Sequence, residues 1–240
     1  MKWGSITNVY NEELLIGGFL DLMDVDIKVV VISDISYQGK TNPTDNSEKI
    51  AQKKGAHIIK MHTTSQPEMR NKALEYLQSQ GVEYAFFADV DEWYPKSSIE
   101  KIKKFVEENP ADAYKIKMMS LYRRPNWYVP CPLDSGSCVV IKTSCRMNTI
   151  RYHEGNLMQL PHVPIYHFSY CRTPEKMLEK VTNFSHAHEV LDGWYENKWL
   201  ACTPTTTNVH PTAPSVWSHI EVIELPEEIK SRVPQILWTS

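Results

Sequence analysis

Three carboxylates within four residues, Asp89, Asp91 and Glu92, follow the apolar run Tyr84-Ala85-Phe86-Phe87 in the stretch VEYAFFADVDEWYP. Carboxylates this close repel one another unless positive charge lies between them, and a divalent cation or a basic side chain can supply it. A cation would take one carboxylate directly and the other directly or through water, with substrate phosphates completing an octahedral shell. With no cation, the same D-x-D spacing is an ordinary acidic turn after a strand. Trp93 and Tyr94 follow at once, and with Trp127 and Tyr128 they offer flat faces suited to a sugar or a nucleobase. Trp93, adjacent to the acids, is the stacking candidate; ordinary packing is the other use of such rings.

Such a cluster does chemistry only where a scaffold holds it, and the chain before Pro95 alternates strand-like and helix-like segments. WGSITNVY predicts a strand, and NEELLIGGFLDLM a helix capped by Asn11 with acidic residues in its first turn. IKVVVIS is a β-branched run of the kind buried on both faces of a parallel sheet, and it ends at Asp34. A polar loop leads to the helix SEKIAQKKG, the strand AHIIKMH and the helix QPEMRNKALEYLQSQG, whose Met69, Ala73, Leu74 and Leu77 share one side and whose stop is Gly81. The acid-tipped run is the next strand. This order predicts an α/β fold with a mostly parallel sheet flanked by helices, in which ligands gather outside the carboxyl ends of the strands. KSSIEKIKKFVEENP predicts another helix, DAYKIKMMSLY, CVVIKT and VPIYHFSY predict strands, and TPEKMLEKVTNFSHAHEVL predicts a helix with proline in its first turn. Beyond Trp194 the proline- and threonine-rich tail reads as an irregular wrap stapled by tryptophans.

Composition narrows the classes. The 240 residues suffice for one domain, with 42% hydrophobic and 23% charged residues, and a mean hydropathy of -0.41 argues against a membrane protein. A net charge of -3 gives no global attraction for nucleic acid or an anionic bilayer. Lys115, Lys117, Arg123 and Arg124 form a local basic strip interleaved with aromatics, which suits a phosphate-bearing acceptor or, equally, a solvated strand edge. The N-terminus lacks the apolar core of a secretory signal, so a cytoplasmic location, in a bacterium or a phage-infected host cell, is the expectation. Five cysteines with no C-x-x-C pair predict free thiols. His186 and His188, two apart on a predicted helix, point apart and form no metal pair.

The motifs ITNVYNEE, VVVISD, TDNSEKIAQKKGAHII, RNKALEY and FFADVDEWY, in that order over the first half, resemble GT-A fold glycosyltransferases of the family 2 type. PIYHFSYCRTPEKMLEK is similar to a later segment of bacterial and phage members. The resemblance implies a single GT-A domain, residues 1–120 binding a nucleotide sugar and 121–240 the acceptor. It makes Asp34 the acid that contacts the base, Arg70 an organiser of the nucleotide pocket, and Asn11 and Glu12 neighbours of the nucleotide. Asp91 matches the metal-ligating end of the D-x-D, and Asp89 the end near ribose or metal. His167 corresponds to a late histidine that returns to the metal; a core histidine bonded to backbone is the alternative, and His162 would line the acceptor site. The loop ISYQGKTNPTD after Asp34 departs from the family's compact Asp-Gly-Ser-x-Asp.

The implied activity is transfer of a sugar from a nucleotide diphosphate sugar, UDP-linked, to a hydroxyl acceptor with Mn²⁺ or Mg²⁺, the metal neutralising the leaving diphosphate. An inverting transfer needs a general base, for which Glu154 and Asp134 are the candidates in the second half. The acceptor is a surface glycan or a hydroxymethylated pyrimidine in phage-type DNA. A metal-dependent nucleotidyltransferase or phosphohydrolase, or a non-catalytic carbohydrate-binding protein, would present a comparable acidic strand end.

Overall fold

The computed structural model describes residues 1–36, 39, 45–131, 136–149, 155–183 and 187–239. In chain order the elements begin with β1 (Trp3–Val9), α1 (Glu13–Leu22), β2 (Ile27–Ser33), α2 (Ser47–Lys53), β3 (His57–Met61), α3 (Gln66–Ser79) and β4 (Tyr84–Phe87). They continue with β5 (Glu92–Trp93), α4 (Lys96–Glu108), β6 (Ala113–Ile116), β7 (Met119–Tyr122), β8 (Trp127–Tyr128) and β9 (Ser137–Lys142). The last are β10 (Leu157–Gln159), β11 (Tyr166–Tyr170), α5 (Pro174–Asn183) and β12 (Glu221–Val222). The chain packs as two compact units, Met1–Lys117 with Ser135–Ile165, and Met118–Asp134 with Tyr166–Ser240.

The first unit is built on a sheet of order β10-β6-β9-β4-β1-β2-β3. β4, β1, β2 and β3 run parallel, as do β10 and β6, while β9 lies antiparallel between β4 and β6. Four carboxyl-terminal strand ends therefore meet along one edge. Side chains alternate across a strand, so Ile6, Val29, Val31, Ala85 and Phe87 bury one face against Met69, Ala73, Leu74 and Leu77 of α3. Elsewhere in this core Trp3 stacks on Tyr84 with ring centroids 5.7 Å apart and meets Phe86 at 5.4 Å. Helix α3 opens as its sequence requires: the Ser65 hydroxyl accepts from the Glu68 N–H at 3.3 Å, and Gly81, at φ +74°, follows its end.

Helix α1 starts differently from the expectation. Asn11 sits in the left-handed region, φ +55°, and Glu12 occupies the cap position without a side-chain cap bond. The turn made by Asn11 presents the N–H groups of the cap and of the first helical residue to the chain that enters α2: Ser47 Oγ accepts from Glu12 N–H and Asp45 Oδ2 from Glu13 N–H, both at 2.8 Å. Asn11 tolerates that backbone better than most residues, which fits its place here. DAYKIKMMSLY also departs from one strand. It breaks into β6 and β7, because β6 pairs with β9 and β10 in the first unit while β7 pairs with β8 and β11 in the second.

The second unit has strands in the order β12-β8-β7-β11 and an aromatic core. Tyr122, Trp194, Trp199 and Trp217 are buried together with Met177 and Val209. Each buried indole needs an acceptor: Trp199 donates to the Tyr170 carbonyl at 2.9 Å and Trp194 to that of Val209 at 2.8 Å. The tryptophan staples expected of the tail are thus hydrogen-bonded anchors. Among the described residues no helix is long and apolar enough to cross a membrane.

Two adjacent glycines in α1 separate close packing from helix propensity. A Cβ on Gly18 would stand 2.4 Å from Cη2 of Trp93, whereas one on Gly17 meets nothing nearer than Ile50 at 3.5 Å. Gly18→Ala is expected to destabilise by about 1–3 kcal/mol through overpacking. Gly17→Ala is expected to stabilise by about 0.5–1 kcal/mol. Urea denaturation of both variants checks the contrast; equal effects would mean that Trp93 does not hold α1 as described.

Candidate active site

Strand β4 is buried along its whole length, Tyr84, Ala85, Phe86 and Phe87 all being at most 3% exposed. The chain leaves it through a turn that is laced internally. Glu92 N–H donates to the Asp89 carbonyl at 2.9 Å, the Glu92 carboxylate accepts from Asp89 N–H at 3.2 Å, and the Trp93 indole donates to the Val90 carbonyl at 3.0 Å. Glu92, 1% exposed, is therefore spent on shaping the turn. Asp89 and Asp91 are the two acids the turn presents, the first with a side chain 39% exposed and the second 8% exposed as a residue.

Helix α3 brings Arg70 to this turn. Its guanidinium donates from Nη2 to Asp89 Oδ1 at 2.7 Å and lies 4.0 Å above the Phe87 ring, in a residue only 2% exposed. A buried guanidinium is costly unless a carboxylate and an aromatic face compensate it, and this one has both. The positive charge between the acids that the sequence called for is supplied, at Asp89, by Arg70.

Because β4, β1, β2 and β3 are parallel neighbours, the residues after their ends stand side by side, about 4.8 Å per strand. In sheet order these are Asp89 and Asp91, then Asn11 and Glu12, then Asp34, then His62. Asp34 and His62 follow the last register pair, Ser33 with Met61, and Asp34 Oδ1 accepts from His62 Nδ1 at 2.7 Å. The alternation of strand side chains puts Ile32, Asp34, Lys60 and His62 on one face. With Met61 and Glu48 they line an open cavity of about 290 Å³, across which Lys60 reaches Glu48 at 2.8 Å.

Arg70, Asp89 and Asp91 are thus brought together, and Asp34 lies on the same edge with a cavity of its own. Trp93 is placed otherwise: it is fully buried against Gly18 and presents no face to a ligand. His167 lies half-buried on β11 of the second unit, between buried Tyr166 and Phe168. Glu154, Asp134 and His186 fall outside the described residues. Of the four basic residues, Lys115 and Lys117 belong to the first unit and Arg123 and Arg124 to the second. Arg123, 8% exposed, lies 4.4 Å over the Trp199 ring, and Arg124 donates to the Trp238 carbonyl at 2.5 Å. Burial lowers the Arg123 pKa, and it pushes the thiols of Cys171 and Cys202 up to about 12 and about 11, so neither is a thiolate at neutral pH.

Three residues at this edge carry no mark in the sequence reading. Lys60 and His62 are legible in HIIKMH once its alternation is laid against IKVVVISD. Asn8 stands two residues past Ile6 on β1, as Asp89 stands two past Phe87, and Ile6 and Phe87 are register partners. Its side-chain oxygen and nitrogen are both buried without a hydrogen-bond partner, a rare condition that marks a position where a ligand or water completes the bonding.

Residues 6–182 match the family described as Glycosyl transferase family 2. No curated protein matches the sequence significantly. Among solved structures, the fold is similar to that of S. aureus TarS residues 1–349, with a TM-score of 0.52 at 18% identity over 78% of this chain and 68% of that one. The same protein in complex with UDP-GlcNAc gives 0.50 at 19% identity over 83% and 72% of the two chains. A longer TarS structure gives 0.50 at 17% identity, and this chain spans 43% of its length. With the family matched over most of its length and a mostly parallel sheet tipped by paired acids, the chain belongs to glycosyl transferase family 2 and is a glycosyltransferase of GT-A fold.

Proposed function

We propose that the protein moves a sugar from a uridine diphosphate sugar to a hydroxyl of a glycan, with Mg²⁺ or Mn²⁺ beside Asp91. The observation that carries the reading is the acid-tipped β4, where buried Arg70 holds Asp89 while Asp91 stands on the same laced turn. TarS, the protein of similar fold, has been crystallised with UDP and with UDP-GlcNAc, which supports a uridine-linked donor.

The donor set suits a hard cation. Asp91 and Asp89 offer carboxylate oxygens, and Asn8 offers an amide oxygen with no other partner at the same edge. Among the described residues no group of three His, Cys, Asp or Glu side chains could hold an ion alone. A cation here would complete its shell from the donor's phosphates and water, which is the habit of Mg²⁺. When bound, it supplies Lewis-acid neutralisation of the departing diphosphate. The chain's own residues do the remaining work: Arg70 fixes the rotamer of Asp89, Glu92 fixes the turn, and the cavity beside Asp34 receives the base.

A glycan is favoured over DNA as acceptor. Arg123 lies on the Trp199 ring and Arg124 donates to the Trp238 carbonyl, so both are engaged within the second unit, and the net charge of -3 gives no general attraction for a polyanion. Sugar transfer to hydroxymethylated DNA in place of any glycan would overturn that choice.

Asp91→Ala is expected to lower donor turnover at least about 100-fold while the melting temperature stays near that of the parent. Full turnover in the variant with metal present would refute the role. The expected product is UDP; release of UMP or pyrophosphate would instead indicate phosphohydrolysis or nucleotidyl transfer.

Ligand linkage gives a separate check. UDP with Mn²⁺, at a hundredfold excess over its dissociation constant, is expected to stabilise the fold by about 2.7 kcal/mol. Chelation should abolish most of that shift, and an undiminished shift after chelation would remove the metal from the donor site.

A further inference from the structure

Asp34 is the acid assigned to the base, yet an aspartate carboxylate has two oxygens and can accept two parallel N–H bonds. In this protein one of them already accepts a strong bond, which uses one of its two lone pairs and makes it the weaker acceptor. His62 Nδ1 lies 2.7 Å from Asp34 Oδ1, and because an ionised carboxylate only accepts, the proton is on Nδ1. No hydrogen bond to Asp34 Oδ2 is found among the described residues. The cavity that holds the pair, about 290 Å³, falls just below the roughly 300–1,000 Å³ usual for small ligands, the right scale for one base. Its apolar lining, Ile32 and Met61, suits a flat ring, and Lys60 and Glu48 satisfy one another across it.

We propose that His62 is a specificity-determining positioning residue: by bonding Oδ1 of Asp34 it orients the carboxylate and leaves Oδ2 the stronger acceptor, which matches the one ring N–H of uracil. The inference rests on the reading that the donor's base enters this cavity. Guanine presents two adjacent donors, N1–H and N2–H, and is best met by both oxygens of a free carboxylate. Cytosine presents a lone pair at N3, which a carboxylate repels. The paired aspartate therefore favours uracil over guanine through His62 and over cytosine through its own charge. The pair is not a stability device, since both side chains are more than half exposed, 70% for His62 and 58% for Asp34. Substitution of His62 leaves the fold in place.

The test is isothermal titration of the full chain, saturated with Mn²⁺, with UDP, CDP and GDP, for the parent, His62→Ala and His62→Asn. The amide nitrogen of Asn can occupy the place of Nδ1, so it can restore the bond to Oδ1. The parent is expected to prefer UDP to GDP by at least about tenfold, the scale of one hydrogen bond to a charged group. His62→Ala should shrink that preference several-fold by a gain in GDP affinity, which mere damage to the site would not produce, with cytosine discrimination unchanged. His62→Asn should recover the parental ratio. In turnover, His62→Ala should raise KM for the UDP-sugar with kcat unaltered. A parent that binds UDP and GDP alike, an unchanged ratio in His62→Ala, or a fall in kcat alone would overturn the role of His62 and leave the proposed donor reaction standing. A parent that binds no uridine nucleotide with metal would overturn both.

Discussion

The contact between Arg70 and Asp89 is the constraint on which the functional edge depends. It joins α3 to the end of β4, and its cation is nearly sealed from water, so loss of Asp89 would take a carboxylate away from a buried guanidinium, whereas Asp89, 39% exposed at its side chain, still meets solvent. Phe87 lies under the guanidinium and continues into the core against α3. The position of Asp89 is thus fixed by hydrophobic packing through one aromatic ring and one ion pair. The turn from Asp89 to Glu92 then carries that fixity to Asp91, since Glu92 closes the turn in both directions along the backbone.

Parallel pairing does the rest of the positioning. Four strands running the same way deliver four chain exits to one edge, and each exit bears polar residues that have no place inside the sheet. Helix α3 packs its apolar stripe on the face that carries Ile6 and Phe87, and Asn8 and Asp89 continue that face beyond the core. Burial of Trp93 against Gly18 has the same effect from the other side. It ties the residue next to the acidic turn to α1, so the turn is held by helices that begin at different strand exits.

Much of this was legible in the sequence, because periodicity and strand-end chemistry are local properties. The β-branched run at 27–33, the apolar side of α3 and the D-x-D after four buried residues all appear where the pattern puts them. What escaped depends on partners distant in the chain. Trp93 looks like a ligand-facing aromatic until Gly18, 75 positions earlier, is seen to make room for it. His62 is unremarked until β3 is laid beside β2 in register, and the break of DAYKIKMMSLY appears only once its two halves find strands in different units. Asn11 follows the cap rule by composition, but Asp45 and Ser47 offer the helix start better acceptors than its own side chain. Glu154 and Asp134 lie outside the described residues, so the general base rests on the sequence resemblance.

Charge along the edge explains why the acids are arranged in pairs with other groups. Asp34, Asp89, Asp91 and Glu92 all stand at the same end of the sheet, and unshielded they would repel both one another and any phosphate-bearing ligand. The structure shows a partner for three of them. Asp89 has Arg70, Asp34 has His62, and Glu92 is turned onto the backbone N–H of Asp89. Such pairing leaves the edge acidic in composition but with these carboxylates oriented by named partners. What the edge presents therefore depends on how those partners orient the carboxylates, more than on how many carboxylates the sequence places there.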